Sequence, residues 1–251
     1  MPQVLKKITE MLDSGPMHVT LIDPDRQTPD TALDMVRQAE AGGTSMILVG
    51  GTTGVDQHKL DSTLDTIMGR TALPVLLFPA SSDVISHMVD GVLFMSLMNS
   101  RNPKLVIGEA VEGGVKIRKM GVEPISTGYV VVEPGMLVGK VGEVDLIKRD
   151  DIETAVKYAV SAEILGMRLF YIEGGSGVEY PVPFEMISEI RKSIDIPLVV
   201  GGGIRTPEIA GEMVLAGADI IVTGTMVEQE EDIETSVSSM VDEMKRAYLE
   251  R

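Results

Sequence analysis

The chain has no cysteine and no tryptophan, only three histidines, and few aromatic residues of any kind, 4% of 251. Without cysteine there are no disulfides, no thiolate nucleophile and no cysteine-based zinc site. With so few rings, the core must be built from Val, Ile, Leu and Met, within a hydrophobic share of 44%. No run of about 18 apolar residues occurs, so no membrane-spanning helix is expected. The opening MPQVLKKITEML reads as an amphipathic helix without the apolar centre of a signal peptide, which points to a cytoplasmic protein that can still touch a membrane surface. Basic charge is also scarce. The formal net charge of −16 lacks the positive footprint that nucleic-acid binding needs. It fits a solubilising acidic surface, and it means that any anionic substrate must be held locally, by backbone amides, helix N-termini, a few basic side chains or a metal ion.

What is present is a regular alternation. Apolar runs at 17–23, 45–51, 74–80, 91–97, 122–132, 168–175, 196–203 and 219–225 read as strands, the fifth with an irregular start. Amphipathic stretches at 29–41, 56–67, 104–121, 151–165, 207–217 and 231–249 read as helices. In the helix over 151–165 the apolar face is Ile152, Ala155, Val156, Ala159 and Ala162. Near-continuous apolar strands alternating with helices predict a parallel sheet buried on both faces. Eight repeats predict closure into an α/β (β/α)8 barrel, a TIM barrel, with an open doubly wound sheet as the other possibility. The interval between the third and fourth strands is too short for a full helix, so the third helix is expected to be degenerate, with loop 79–90 in its place. No linker or low-complexity tract interrupts 1–251, which is expected to be one domain.

In such a barrel the chemistry sits at the C-terminal ends of the strands. Gly201-Gly202-Gly203 and Gly224-Thr225 follow the last two strands, where barrels often hold a phosphate. Glycine lets the backbone approach closely and turn its N–H groups inward. Thr206 and Pro207 follow as N-cap and first residue of a helix. Asp23 ends the first strand and Thr52 follows the glycines of the second, an oxygen pair suited to Mg²⁺; Asp23 could equally form an Asx turn before Pro24, and Asp25 is a turn candidate. Tyr171 and Glu173 share one face of the sixth strand, and a carboxylate there can serve as a general base. Ser96, Asn99, Ser100, Arg101 and Asn102 lie at the end of the fourth strand. None of the histidines has metal-ligand spacing: His18 reads as a core residue with a hydrogen-bonded ring, His58 as solvated, and His87 falls in the loop that replaces the third helix. The 17 methionines read mainly as core filler.

HVTLIDPD (18–25), ILVGGTTG (47–54), FMSLMNSRNP (94–103), STGYVVVEPG (126–135), YIEGGSG (171–177), VVGGGIRTPE (199–208) and IVTGT (221–225) occur in that order. Together they resemble the geranylgeranylglyceryl phosphate synthase family of archaeal ether-lipid synthesis, which is similar to the bacterial heptaprenylglyceryl phosphate synthases. The resemblance runs from about residue 18 to 227. It implies a Mg²⁺-dependent prenyltransferase that joins a geranylgeranyl group, from its diphosphate, to the 3-hydroxyl of sn-glycerol 1-phosphate. It implies that Asp23 and Thr52 hold the metal and that Glu173 is catalytic. It assigns substrate binding to Tyr171, Ile172, Glu173, Gly174, Gly175, Ser176 and Gly177, to Gly202 and Gly203, and to Gly224 and Thr225. Homo-oligomers, dimers or hexamers, are expected. The VTLID stretch lacks the basic residue common in the bacterial branch, and the loops at 133–150 look archaeal. A prenyl groove is expected near the degenerate helix, with Phe94, Met95 and Met98 available. The alternatives are a heptaprenyl-transferring enzyme, a sugar-phosphate isomerase with paired carboxylates at strand ends one and five (Glu133), and a phosphate-ligand binder without catalysis.

Overall fold

The computed structural model describes residues 3–251. Eight parallel strands close into a barrel in chain order, β1 (Met17–Ile22), β2 (Met46–Val49), β3 (Val75–Leu77), β4 (Gly91–Leu97), β5 (Glu123–Val131), β6 (Leu169–Glu173), β7 (Leu198–Gly201) and β8 (Ile220–Thr223), with β8 paired back onto β1. Side chains alternate across each strand, so every strand feeds two apolar layers. Val19, Leu48, Leu76, Leu93, Ile125, Leu169 and Val199 fill the barrel. Ile22, Val49, Val92, Val130, Ile172, Val200 and Ile221 pack outward beneath the helices. The open doubly wound sheet is thereby excluded.

The helices are α1 (Gln3–Leu12), α2 (Pro29–Ala41), α3 (Gln57–Ile67), α4 (Glu109–Met120), α5 (Met136–Val141), α6 (Ile152–Ile164), α7 (Phe184–Arg191), α8 (Pro207–Ala216), α9 (Thr225–Gln229) and α10 (Ile233–Glu250). The expected first helix is α1, with residues 1 and 2 outside the described part. It plugs the lower end of the barrel by inserting Val4 and Ile8 into the inner layer. The Glu123 carboxylate accepts from the N–H groups of Val4 (2.7 Å) and Leu5 (3.0 Å). It thus satisfies two donors that a helix start leaves without partners, and complements the positive end of the dipole.

No helix separates β3 from β4; the chain passes through turns, as its length requires. Several expectations need correction. The segment 104–121 is not one continuous α-helix: Lys104–Gly108 winds as a π-turn before α4 begins. The fifth strand has no irregular start, because it runs straight through Pro124, which pairs with Val92. Thr225 does not extend β8 but opens α9. The short helices α5 and α7 have no counterpart in the sequence reading. α5 is six residues with Gly139 inside, too short to show a period. Thr206 caps α8 through Ile209 N–H, and Pro207 is its first residue, as expected.

His18 is buried, its two ring nitrogens each 2.9 Å from a hydroxyl, Thr44 and Thr223. Burial lowers its pKa from 6.5 to about 4, which favours the neutral ring in the folded state. The stability this contributes is complete above pH 6.5 and is lost as pH falls towards about 4, a span worth on the order of 3 kcal/mol. Calorimetry across this window should therefore show a falling melting temperature in the wild type. His18→Gln should flatten that dependence, and an unchanged slope would show that other groups govern acid stability.

Candidate active site

The residues that converge do so at the upper, C-terminal rim. Register brings Tyr129 of β5 beside Tyr171 of β6, and Glu173 beside Gly201 of β7. The Tyr129 hydroxyl donates to the Glu173 carboxylate. Phe78, Tyr129 and Tyr171 meet edge to face, with ring centroids 5.2–6.1 Å apart. Burial among these rings raises the pKa of Glu173, opposed in part by the bond from Tyr129. The Tyr129 phenol is pushed well above its ordinary value by burial and by the neighbouring carboxylate, so it remains a donor. The carboxylate is therefore positioned and electrostatically biased to accept a proton.

On one side of Glu173 lies a cup of about 430 Å³ walled by Tyr171, Ser176, Gly177, Gly202, Gly203, Gly224 and Thr225. Its glycines are required by close approach. Gly202 (φ 79°) could not carry a Cβ without meeting the Gly175 carbonyl oxygen at 2.9 Å, nor Gly203 (φ 75°) without meeting the Pro181 nitrogen at 2.8 Å. The hydroxyls of Ser176 and Thr225 lie 3.0 Å apart across the rim. Gly174 and Gly175 form the backbone behind it, and Gly175 packs on Gly135. Such a site can hold a small anion on main-chain dipoles without net positive charge. Ile172 departs from the expected set. Its side chain belongs to the outer layer, because it alternates with Tyr171 and Glu173, so only its backbone is available at the rim.

Asp23 and Thr52 lie on the opposite side. The Asp23 carboxylate rests on the backbone just before Thr52: a Cβ placed on Gly51 would fall 2.5–2.6 Å from its oxygens. One oxygen accepts from Asp25 N–H at 3.0 Å, which is the Asx turn, while the other lies 3.6 Å from Arg26 Nε. Burial raises the pKa of Asp23, offset by the Asp25 N–H and Arg26. Asp25 is more than a turn residue, since its carboxylate pairs with Lys59 at 2.5 Å. Among the described residues no group of three or more His, Cys, Asp or Glu side chains is arranged around a metal. One carboxylate and one hydroxyl suit Mg²⁺ only if a ligand's own phosphate oxygens complete its shell, a common arrangement for that ion.

From Thr52, Phe78 and Tyr129 a mostly apolar groove of about 880 Å³, open to solvent, runs outward between loop 79–85, β4 and α4, with Val138 and Val141 of α5 above it. It occupies the place of the missing third helix. Phe94 and Met95 line it. Met98 does not: it lies one residue beyond β4 and packs against Gly128 in the outer layer. Glu133 lines neither cup nor groove, which removes support from a carboxylate pair of the isomerase type. Asn99 is a structural clamp, bonded to both main-chain groups of Val131 and to the Asp145 carbonyl. Ser96 and Ser100 likewise bind backbone carbonyls. Sequence reasoning assigned no role to Tyr129, Phe78, Arg26 or Arg205. Tyr129 could have been noticed as a polar ring inside an otherwise apolar strand.

Anion cup, shielded carboxylate and apolar groove on one rim define a (β/α)8 barrel built to handle a phosphate-bearing ligand together with an apolar one. The comparisons narrow the class. The PcrB family pattern matches residues 7–247. A geranylgeranylglyceryl phosphate synthase of Thermococcus gammatolerans is 47% identical over 232 residues, 92% of either chain. A crystal structure of the Thermoplasma acidophilum (S)-3-O-geranylgeranylglyceryl phosphate synthase, in complex with its substrate sn-glycerol-1-phosphate, superposes with a TM-score of 0.94 at 40% identity, covering 97% of this chain and 98% of that one. The Thermoplasma volcanium enzyme gives 0.93, also at 40% identity, with the same coverage. The chain belongs to the PcrB family, in the company of these synthases.

Two substitutions probe the site. Because Glu173 is costly to ionise in the folded state, Glu173→Gln should melt higher than the wild type at about pH 8, and the gap should close as pH falls through the raised folded value towards the ordinary glutamate value of 4.5. Equal melting temperatures at high pH would contradict a raised pKa. Gly202→Ala, strained at φ 79°, should cost about 1–3 kcal/mol and weaken binding of inorganic phosphate in a calorimetric titration. Unaltered phosphate affinity would place the anion elsewhere.

Proposed function

We propose that this protein transfers a geranylgeranyl group from its diphosphate to the 3-hydroxyl of sn-glycerol 1-phosphate, giving geranylgeranylglyceryl phosphate and diphosphate. The observation that carries the reading is the bond between Tyr129 and Glu173. Tyr129 lines the apolar groove, Glu173 lines the anion cup, and their contact joins a place for a hydrocarbon chain to a place for a phosphate. The names of the relatives at 39–47% identity support the same reaction.

The glycerol phosphate places its phosphate against Gly202, Gly203, Gly224 and Thr225, beside Ser176 and Gly177, and turns its 3-hydroxyl to Glu173. Tyr129 holds the carboxylate in one orientation. The prenyl chain lies in the groove along Phe94 and Met95, with its diphosphate towards Asp23 and Thr52. The allylic carbon–oxygen bond breaks as the glycerol oxygen bonds to that carbon. The hydroxyl proton passes to Glu173, and diphosphate leaves with the bonding electron pair. Mg²⁺ bound through Asp23 and Thr52 would neutralise the diphosphate and make it a better leaving group. Alignment of the two substrates supplies much of the acceleration. Self-association as a dimer or hexamer is part of the proposal, supported by the outward-facing Ile107, Val111 and Val115. So are a cytoplasmic site of action and brief contact with the membrane surface that receives the product. Among the described residues, no helix is long and apolar enough to cross a membrane.

The test is transfer of labelled sn-glycerol 1-phosphate into an organic-extractable product, with prenyl diphosphates of increasing length as donors. Product should peak with geranylgeranyl diphosphate and disappear with EDTA. Glu173→Gln should lower kcat by about 10²–10⁴-fold. The acid limb of the wild-type pH profile should lie above 4.5, the ordinary glutamate value, in keeping with the raised pKa. A heptaprenyl optimum would move the protein to the longer-chain alternative, and no product from any donor would refute the reading.

A further inference from the structure

Arg26 stands on the loop after β1, and its guanidinium ties that loop to α9, which follows the neighbouring strand β8. Nη1 lies 2.8 Å from the Glu228 carboxylate on α9, and Nε lies 3.6 Å from Asp23. Glu228 sits in the last turn of α9, its N–H donating to the Gly224 carbonyl at 3.0 Å, and Arg26 is the partner of its carboxylate. The other cations near the mouth are committed differently. Lys59 binds Asp25 and the Gly54 carbonyl, while Arg205 binds the carbonyls of Gly177 and Val178. Arg26 therefore holds only carboxylates, Asp23 among them, and its side chain is 49% exposed.

We propose that Arg26 binds the diphosphate of the prenyl donor, and that Glu228 competes with that diphosphate for it. The inference rests on the reaction proposed above. A planar guanidinium pairs with phosphate oxygens through the same fork of N–H donors that it offers a carboxylate. A half-exposed ion pair is weak enough to be exchanged for a doubly charged group. With Asp23 beside it, Arg26 stands where the leaving group gathers charge. The competing Glu228 keeps the guanidinium extended across the rim and sets how much of its attraction reaches the ligand.

The decisive comparison is between Arg26→Ala and Glu228→Gln, because the proposal gives them opposite signs. Arg26→Ala should raise KM for the prenyl diphosphate about tenfold or more and weaken binding of inorganic pyrophosphate, titrated calorimetrically in magnesium buffer. Arg26→Lys should fall between, since a point charge lacks the fork. Glu228→Gln should lower that KM and tighten pyrophosphate binding. If the bridge is merely a structural tie between α9 and the β1 loop, both variants will move KM the same way, and the proposal falls. It falls equally if Arg26→Ala changes only the KM for glycerol phosphate. If the wild type transfers no prenyl group at all, the functional reading fails, while the pyrophosphate titration still decides whether Arg26 is an anion site opposed by Glu228.

Discussion

The hydrogen bond from Tyr129 to Glu173 is the constraint on which the rest of the rim depends. A partly buried carboxylate beside Tyr129 and Tyr171 is unfavourable unless a donor meets it. The donor comes from the neighbouring strand, so its position is fixed by the pairing of β5 with β6 and not by a mobile loop. The same pairing sets Tyr171 beneath the carboxylate, and the pairing of β6 with β7 sets Gly201 beside it. Cup and groove thus meet at a point that only a correctly registered barrel can form.

A chain of net charge −16 can handle anions because the attraction it offers is local and directional. The cup pairs backbone brought close by Gly202 and Gly203 with one cation in its wall, Arg205. Around Asp23 the opposite device operates: acidic groups and the cations Arg26 and Lys59 are interleaved, and each tempers its neighbours. The acidity of the remaining surface is then free to serve solubility.

Much of this was legible in the sequence. The strands announced themselves as apolar runs, and the glycine loops at the ends of β7 and β8 stood where a barrel needs them. His18 was readable as a core residue because it sits inside such a run. What escaped depended on three-dimensional pairing. Tyr129 and Glu173 are 44 residues apart, and no local pattern states that their strands lie in register. Met98 was misjudged because it lies past the strand end, where alternation no longer guides, while Ile172 can reach the rim only through its backbone. The missing helix followed from counting residues between β3 and β4, whereas α5 was too short to leave a periodic trace.

The plug formed by α1 has a consequence for traffic. With Val4 and Ile8 filling the lower end and Glu123 locking the helix in place, the packed barrel offers no opening from below, and its openings lie at the upper rim and along the groove beside α4. Whatever arrives through the upper rim must leave by it. Under the reaction proposed above, the prenyl donor and the glycerol phosphate would both approach from this one face, through the groove and the cup that meet at Tyr129 and Glu173. The closed lower end therefore confines every ligand of this barrel, and any product, to the loops of a single face.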